Sequence, residues 1–300
     1  MKLKLFLPVI ALVLILLAVL GFLAARNSCC FKENAILDNA KALEKTERTE
    51  DAIKEYEKII TEYPQSKKAA DSYICLAELY ERSGNLIEAR DSYKKAMETY
   101  PDSEIVKNAK SRVEDLNMRI LFSPLMDISS KSYEVQKGDS LAKIAKVFGT
   151  TVDLLKRSNN LEKDTIRQGA RIKVVTAKFS VVVDKSQNTL ILEQNGEVVK
   201  SYKVSTGLNN STPVGNFKIV NKLTDPVWYA ANSVVQPGSS DNILGTRWMG
   251  ISKAGYGIHG TTDPDSLGKQ VTAGCVRMRN EEVEELYSIL PEGAEVTIVD

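Results

Sequence analysis

The sequence predicts a multidomain fold. It contains an N-terminal transmembrane helix, an all-α region of helical repeats, a small α+β module of βααβ order and a mostly-β C-terminal domain. Three observations lead there. An apolar run from Leu5 to Ala25 lies between Lys4 and Arg26. A 37-residue recurrence follows in a stretch without strand-like alternation. Beyond Lys178, short runs of β-formers are separated by turn residues. At 300 residues the chain is also long for a single core.

The apolar run is the first element. About 20 apolar residues can cross the hydrocarbon core as a helix, whereas a signal-peptide core needs only about 7–15. A cut after Ala25 would put Leu23 where a small residue is wanted. Residues 1–25 are therefore expected to be an uncleaved membrane anchor, with a cleaved signal as the alternative. Pro8 and Gly21 are tolerable in a membrane helix. Lys2 and Lys4 precede the run, and Arg26, Lys32, Lys41 and Lys45 follow it, so charge does not fix the orientation. The four cysteines (29, 30, 75 and 275) show no disulfide-scaffold spacing.

Charge and motif content exclude several functions. Forty Lys+Arg against 39 Asp+Glu give no electrostatic footprint for nucleic acid. A single histidine without a Cys/His cluster argues against a metal site. No P-loop or dinucleotide fingerprint is present, so no phosphate-bearing cofactor is implied, and no cofactor is expected.

Residues 34–119 read as helical repeats. Ala52 to Tyr56 and Tyr63-Pro64 recur as Ala89 to Tyr93 and Tyr100-Pro101, and each proline stops a helix. Tyr73, Leu76, Ala77, Tyr80, Gly84, Ala89, Tyr93, Ala96 and Pro101 make the second copy resemble a tetratricopeptide repeat. A final helix is expected over about Ser103 to Arg119. Such stacks offer a concave face to a protein partner, although two repeats also suffice as a spacer. Residues 120–131, with Pro124 and a Ser pair, read as a linker.

Residues 132–175 follow as strand, helix, helix, strand. Asp139 or Ser140 can cap a first helix through Phe148, Thr150 or Thr151 a second, and Gly169 turns the chain into a closing strand. Tyr133-Glu-Val135, Gly138-Asp139-Ser140-Leu141, Asn159-Asn160-Leu161 and Ile172-Lys-Val174 resemble a LysM module. That resemblance implies binding of N-acetylglucosamine-containing glycan, chiefly peptidoglycan or chitin.

In residues 178–300, strands are expected at Phe179 to Asp184, Thr189 to Glu193 and Glu295 to Val299. A hairpin is expected at Asn195-Gly196 and a helix over Glu281 to Leu290. The only histidine, His259, stands 16 residues before Cys275. A cysteine nucleophile reacts as its thiolate, and an imidazole can take its proton and later pass it to a leaving group. Gly260 and Gly274 flank the pair, allowing tight turns and close approach of substrate.

Ile258-His259-Gly260-Thr261 and Thr272-Ala273-Gly274-Cys275-Val276-Arg277-Met278 resemble the signature of L,D-transpeptidases of the YkuD type. Ser205-Thr206-Gly207 and Thr212 to Phe217 fit the same pattern. The resemblance implies that Cys275 is the nucleophile and His259 the general base and acid, with the Gly260 carbonyl fixing the imidazole tautomer. It also implies oxyanion-stabilising N–H groups around Gly274 and Cys275. Arg277 would support the thiolate or hold a substrate carboxylate, with a plain surface ion pair as the alternative. Thr272, Tyr256 and Trp248 are the candidate substrate-side residues. The implied reaction releases D-alanine from a tetrapeptide stem through a thioester and forms a peptidoglycan cross-link at the bacterial cell envelope, outside the cytoplasm. With water or a protein amine as acceptor, the enzyme would be an L,D-carboxypeptidase or a protein-attachment enzyme. A wall-binding scaffold without activity is the alternative of another class. A sortase is disfavoured because Arg277 stands only two residues after Cys275.

Overall fold

The computed structural model describes residues 31–230 and 233–300. The expected membrane helix over 1–25 and the Cys29-Cys30 pair lie outside the described residues. Among those described, no helix is long and apolar enough to cross a membrane. The chain divides into two compact units, with the boundary between Val113 and Glu114.

The first unit is helical, as the recurrence predicts. Helix α1 covers residues 31–45, followed by α2 (Thr49–Glu62), α3 (Lys67–Arg82) and α4 (Leu86–Thr99). Equivalent residues of the two copies do the same work. Ala52 and Ala89 are fully buried where helices approach, and Tyr56 and Tyr93 fill the adjoining core. Both copies end alike: Tyr63 has φ −131°, ψ 50° and Tyr100 has φ −131°, ψ 55°, each just before its proline. The expected final helix from Ser103 is corrected. A single 3-10 turn, Glu104–Val106, buries Val106, and helix α5 begins only at Ala109 and runs to Leu121.

The second unit holds the LysM-like module and the β domain. Strands β1 (Ser130–Glu134) and β2 (Arg171–Val175) pair antiparallel around α6 (Leu141–Phe148) and α7 (Val152–Arg157). Of the candidate caps, Ser140 accepts from Lys143 N–H and Thr151 from Leu154 N–H. Asp139 instead accepts from the Tyr133 hydroxyl and the Gln136 N–H, bracing the β1–α6 turn. The segment read as a linker is tied down: the Lys173 ammonium donates to the carbonyls of Ile120 (2.8 Å) and Ser123 (2.9 Å).

The β domain begins with β3 (Phe179–Asp184), β4 (Thr189–Gln194) and β5 (Glu197–Lys203). Asn195 and Gly196 both take positive φ in the turn between β4 and β5, the backbone that the Asn-Gly pair favours. After β6 (Thr206–Gly207) come β7 (Gly215–Thr224), the hairpin strands β8 (Trp228–Ala230) and β9 (Ser233–Val235), and β10 (Arg247–Ile251). The chain continues through β11 (Gly257–His259), β12 (Gln270–Thr272), β13 (Val276–Arg277), helix α8 (Asn280–Ile289) and β14 (Glu295–Val299). Eight strands form one mixed sheet in the order β13-β11-β10-β7-β14-β3-β4-β5. Strands β3 and β14 bury alternate residues, with Val181, Val183, Val296 and Ile298 in one core with Val283 and Leu286 of α8. That core also takes in Met118 and Leu121 of α5 and Leu154 of α7, so the LysM-like module is packed onto the β domain.

Candidate active site

The site forms at the β13 edge of the large sheet. Trp248 of β10 pairs with His259 of β11, and His259 pairs with Arg277 of β13. Residues on one rung share a face of the sheet, so these three side chains stand side by side. The β11–β13 ladder is parallel, and Cys275, the residue before β13, is met by the backbone N–H of Gly257 at the start of β11. Cys275 and His259 thus stand at the start of β13 and the end of β11, on neighbouring strands of the sheet. Gly257 has to be bare there: a Cβ would sit 2.7 Å from both the Met249 carbonyl oxygen and the Trp248 ring.

His259 is buried, and its Nδ1 lies 2.6 Å from the Gly260 carbonyl oxygen. A carbonyl only accepts, so Nδ1 carries the proton and Nε2 keeps its lone pair free. Burial pulls the imidazole down to about 4; the Gly260 bond opposes this and the Arg277 charge adds to it. Trp248 stacks on the ring, with centroids 6.0 Å apart at 19°, while its indole N–H donates to Asn221 Oδ1 at 3.1 Å. The Cys275 thiol is half-buried, 3.7 Å from the Gly255 carbonyl that accepts from it. Burial pushes it up, against the Gly257 backbone N–H and the Arg277 charge. Both shifts favour the neutral forms, so the resting pair is thiol and imidazole.

The loop before Cys275 is held by Thr272, at the end of β12. Its hydroxyl donates to the Cys275 carbonyl (2.6 Å) and accepts from Gly274 N–H (3.1 Å). In this state the Gly274 N–H is engaged within the loop and is not open to an oxyanion. Gly274 has φ +131°, and a Cβ there would meet the Tyr256 ring at 2.6 Å. Gly207 of β6 also approaches it, since a Cβ on Gly207 would come 2.8 Å from Gly274 Cα. Tyr256 thus packs against the loop before Cys275. The Arg277 backbone exchanges two 2.9 Å bonds with Ser205. One of its guanidinium nitrogens donates to Ser266 Oγ (3.0 Å) and lies 3.9 Å from Asp263 Oδ2, while Nε is buried without a partner.

A model of the L,D-transpeptidase catalytic domain matches residues 178–298. The putative L,D-transpeptidase YkuD of Bacillus subtilis (strain 168) is 34% identical over 174 residues, covering 56% of this chain and 98% of that protein. The chain belongs to the YkuD family of L,D-transpeptidases. The putative L,D-transpeptidase YqjB of the same organism is 40% identical over 126 residues, or 40% of this chain and 70% of the relative. A LysM model matches residues 133–175, and tetratricopeptide models match 35–66 and 70–103. Among solved structures, an L,D-transpeptidase from Mycobacterium smegmatis aligns with 18% identity and a TM-score of 0.36. It covers 44% of this chain and 64% of that one, so the chain spans a little less than two thirds of that protein's length.

The structure brings His259, Gly260, Cys275, Arg277, Thr272, Gly274, Tyr256 and Trp248 into one region of this L,D-transpeptidase domain. Sequence reasoning passed over Asn221, Ser266, Asp263 and Asn280, which hold the indole, the guanidinium and the loop after β11. They lie up to 38 residues from Cys275 or His259, on a strand, a loop and a helix start, where spacing gives no signal.

Proposed function

We propose that this L,D-transpeptidase cross-links peptidoglycan stems by acyl transfer through Cys275. The observation that carries the reading is the Nδ1–H bond from His259 to the Gly260 carbonyl, which leaves Nε2 free on the strand next to the one that Cys275 precedes. The Cys275 sulfur attacks the carbonyl at the L-centre of the stem's diamino acid, and His259 Nε2 takes the thiol proton. The tetrahedral oxyanion is met by the Cys275 N–H and by the Gly274 N–H once Thr272 releases it. Losing one such donor costs on the order of 100-fold in other enzymes. Collapse breaks the C–N bond, and the imidazolium returns the proton to the departing D-alanine amine. The side-chain amine of a second stem then attacks the thioester, gives its proton to His259, and the thiol is regenerated. Arg277 supports the developing thiolate with its charge.

The proposal extends to architecture: an anchor over residues 1–25, repeats over 34–119, a connecting segment 120–131, a LysM over 132–175 and the catalytic domain over 178–300. The apolar run Leu5 to Ala25 supports the anchor, which would hold the catalytic domain outside the cytoplasm at the envelope. The LysM would bring the enzyme to glycan, and the repeats would offer a face to a protein partner.

Mass spectrometry of tetrapeptide muropeptides incubated with the protein, beside its Cys275→Ala variant, tests the chemistry. D-alanine release with a new dimer is expected, and neither product should form with the variant. Release without a dimer would move the assignment to a carboxypeptidase. Full activity in Cys275→Ala would remove the proposal altogether.

A further inference from the structure

Asn280 opens α8, 21 positions after His259, and the chemistry above makes no use of it. Its side-chain oxygen reaches back to the loop that follows β11, accepting from Thr261 N–H (3.0 Å) and from Thr246 N–H (3.2 Å). Two glycines make room for it. A Cβ on Gly245 or on Gly260 would lie 2.2 Å from that oxygen, and Gly245 sits at φ +63°. Next to it, Gly260 N–H donates to the Arg247 carbonyl at 3.2 Å.

The Thr261 N–H and the Gly260 carbonyl belong to one peptide unit. That unit is planar and trans, so its N–H and C=O point in opposite directions. Fixing the N–H on Asn280 therefore fixes where the carbonyl points, and here it points at His259 Nδ1, 2.6 Å away. We propose that Asn280 is a positioning residue: by holding the Thr261 N–H it aims the Gly260 carbonyl at His259 and so selects the imidazole tautomer that leaves Nε2 free. Its effect on rate rests on the acyl-transfer chemistry proposed above; its effect on the tautomer does not.

Without the Asn280 oxygen the 260–261 peptide can rotate, and Nδ1–H loses its fixed acceptor. The Nε2–H tautomer then becomes populated, and that form cannot take a proton at Nε2. Such a change acts in the transition state more than on substrate binding. For Asn280→Ala, kcat is expected to fall by about 10–100-fold while KM stays within about twofold.

The chain has one histidine, so nitrogen NMR of the ¹⁵N-labelled full-length protein reads its two ring nitrogens without ambiguity. The unmodified protein should show a protonated Nδ1 and a bare Nε2. Asn280→Ala should show a mixture, and Asn280→Asp, which keeps an acceptor oxygen, should restore both tautomer and kcat. A folded Asn280→Ala protein with an unchanged tautomer and unchanged kcat would overturn the proposal. Should that variant not fold, amide exchange in the unmodified protein decides. Thr246 and Thr261 protected like the β10 ladder support the anchor, and free exchange at either refutes it. Activity surviving in Cys275→Ala would instead sink the acyl-transfer reading and leave the tautomer result standing.

Discussion

His259 is the residue at which burial and chemistry meet. An imidazole drawn down to about 4 stays neutral near neutral pH and could act as a base without first losing a proton. Burial pushes the Cys275 thiol up, so on the proposed chemistry attack begins from a neutral pair and the proton moves during the step. kcat/KM should then vary by no more than about twofold between roughly pH 5.5 and 7.5, with its acid limb near pH 4. An acid limb at about 6.5 in a pH–rate series would show that burial is not controlling this group. Stability carries the same signature. The folded value lies below the ordinary 6.5, so the unfolded chain binds more protons between about 4 and 6.5, and stability falls as the pH drops through that window. The loss from this one group would be up to about 3 kcal/mol.

At the scale of elements, what the sequence shows is set by whether the signal is local. The caps Ser140 and Thr151, the Asn195-Gly196 turn and the paired Tyr-Pro helix ends rest on neighbours in the chain, and they are legible. So are β3 and β14, whose alternation matches one buried face. Long-range partners are not. Lys222 of β7 buries its ammonium on the carbonyls of Tyr287 and Leu290 and so caps α8 across 65 and 68 positions. Asn280 looks like an ordinary polar helix start until the loop at Thr261 is folded against it. The small residues of the repeats belong to the legible class and support a quantitative expectation. Ala89 is fully buried between helices, so Ala89→Leu should overpack the contact and destabilise the repeats by about 1–3 kcal/mol. D-alanine release should not change, because the site lies wholly in the unit beyond Val113. Thermal unfolding beside the muropeptide assay checks both halves; a loss of turnover in the folded variant would mean that the repeats contribute to the site.

At the scale of the second unit, the LysM is not a module on a loose tether. Leu154 of α7 is buried in the core of the catalytic domain, and the Thr151 hydroxyl donates to the Ser288 carbonyl of α8. The Arg157 guanidinium donates to Ser288 Oγ at 2.8 Å and lies 3.4 Å from the centre of the Phe122 ring. A tethered module raises only the local concentration of substrate, to an extent set by linker length. A docked one also fixes the direction from which a glycan strand meets the site. Arg157→Glu would put a carboxylate in the same half-buried contact, against the nearby Glu284 and Glu285, and should release α7 from α8. Turnover of soluble muropeptides is then expected to hold within about twofold, whereas cross-linking of intact sacculi falls by roughly tenfold as orientation is lost. Sacculus pull-down of the same variant separates the two contributions. Retained binding with lost cross-linking assigns the effect to docking, whereas equal turnover on both substrates would show that the LysM supplies proximity alone.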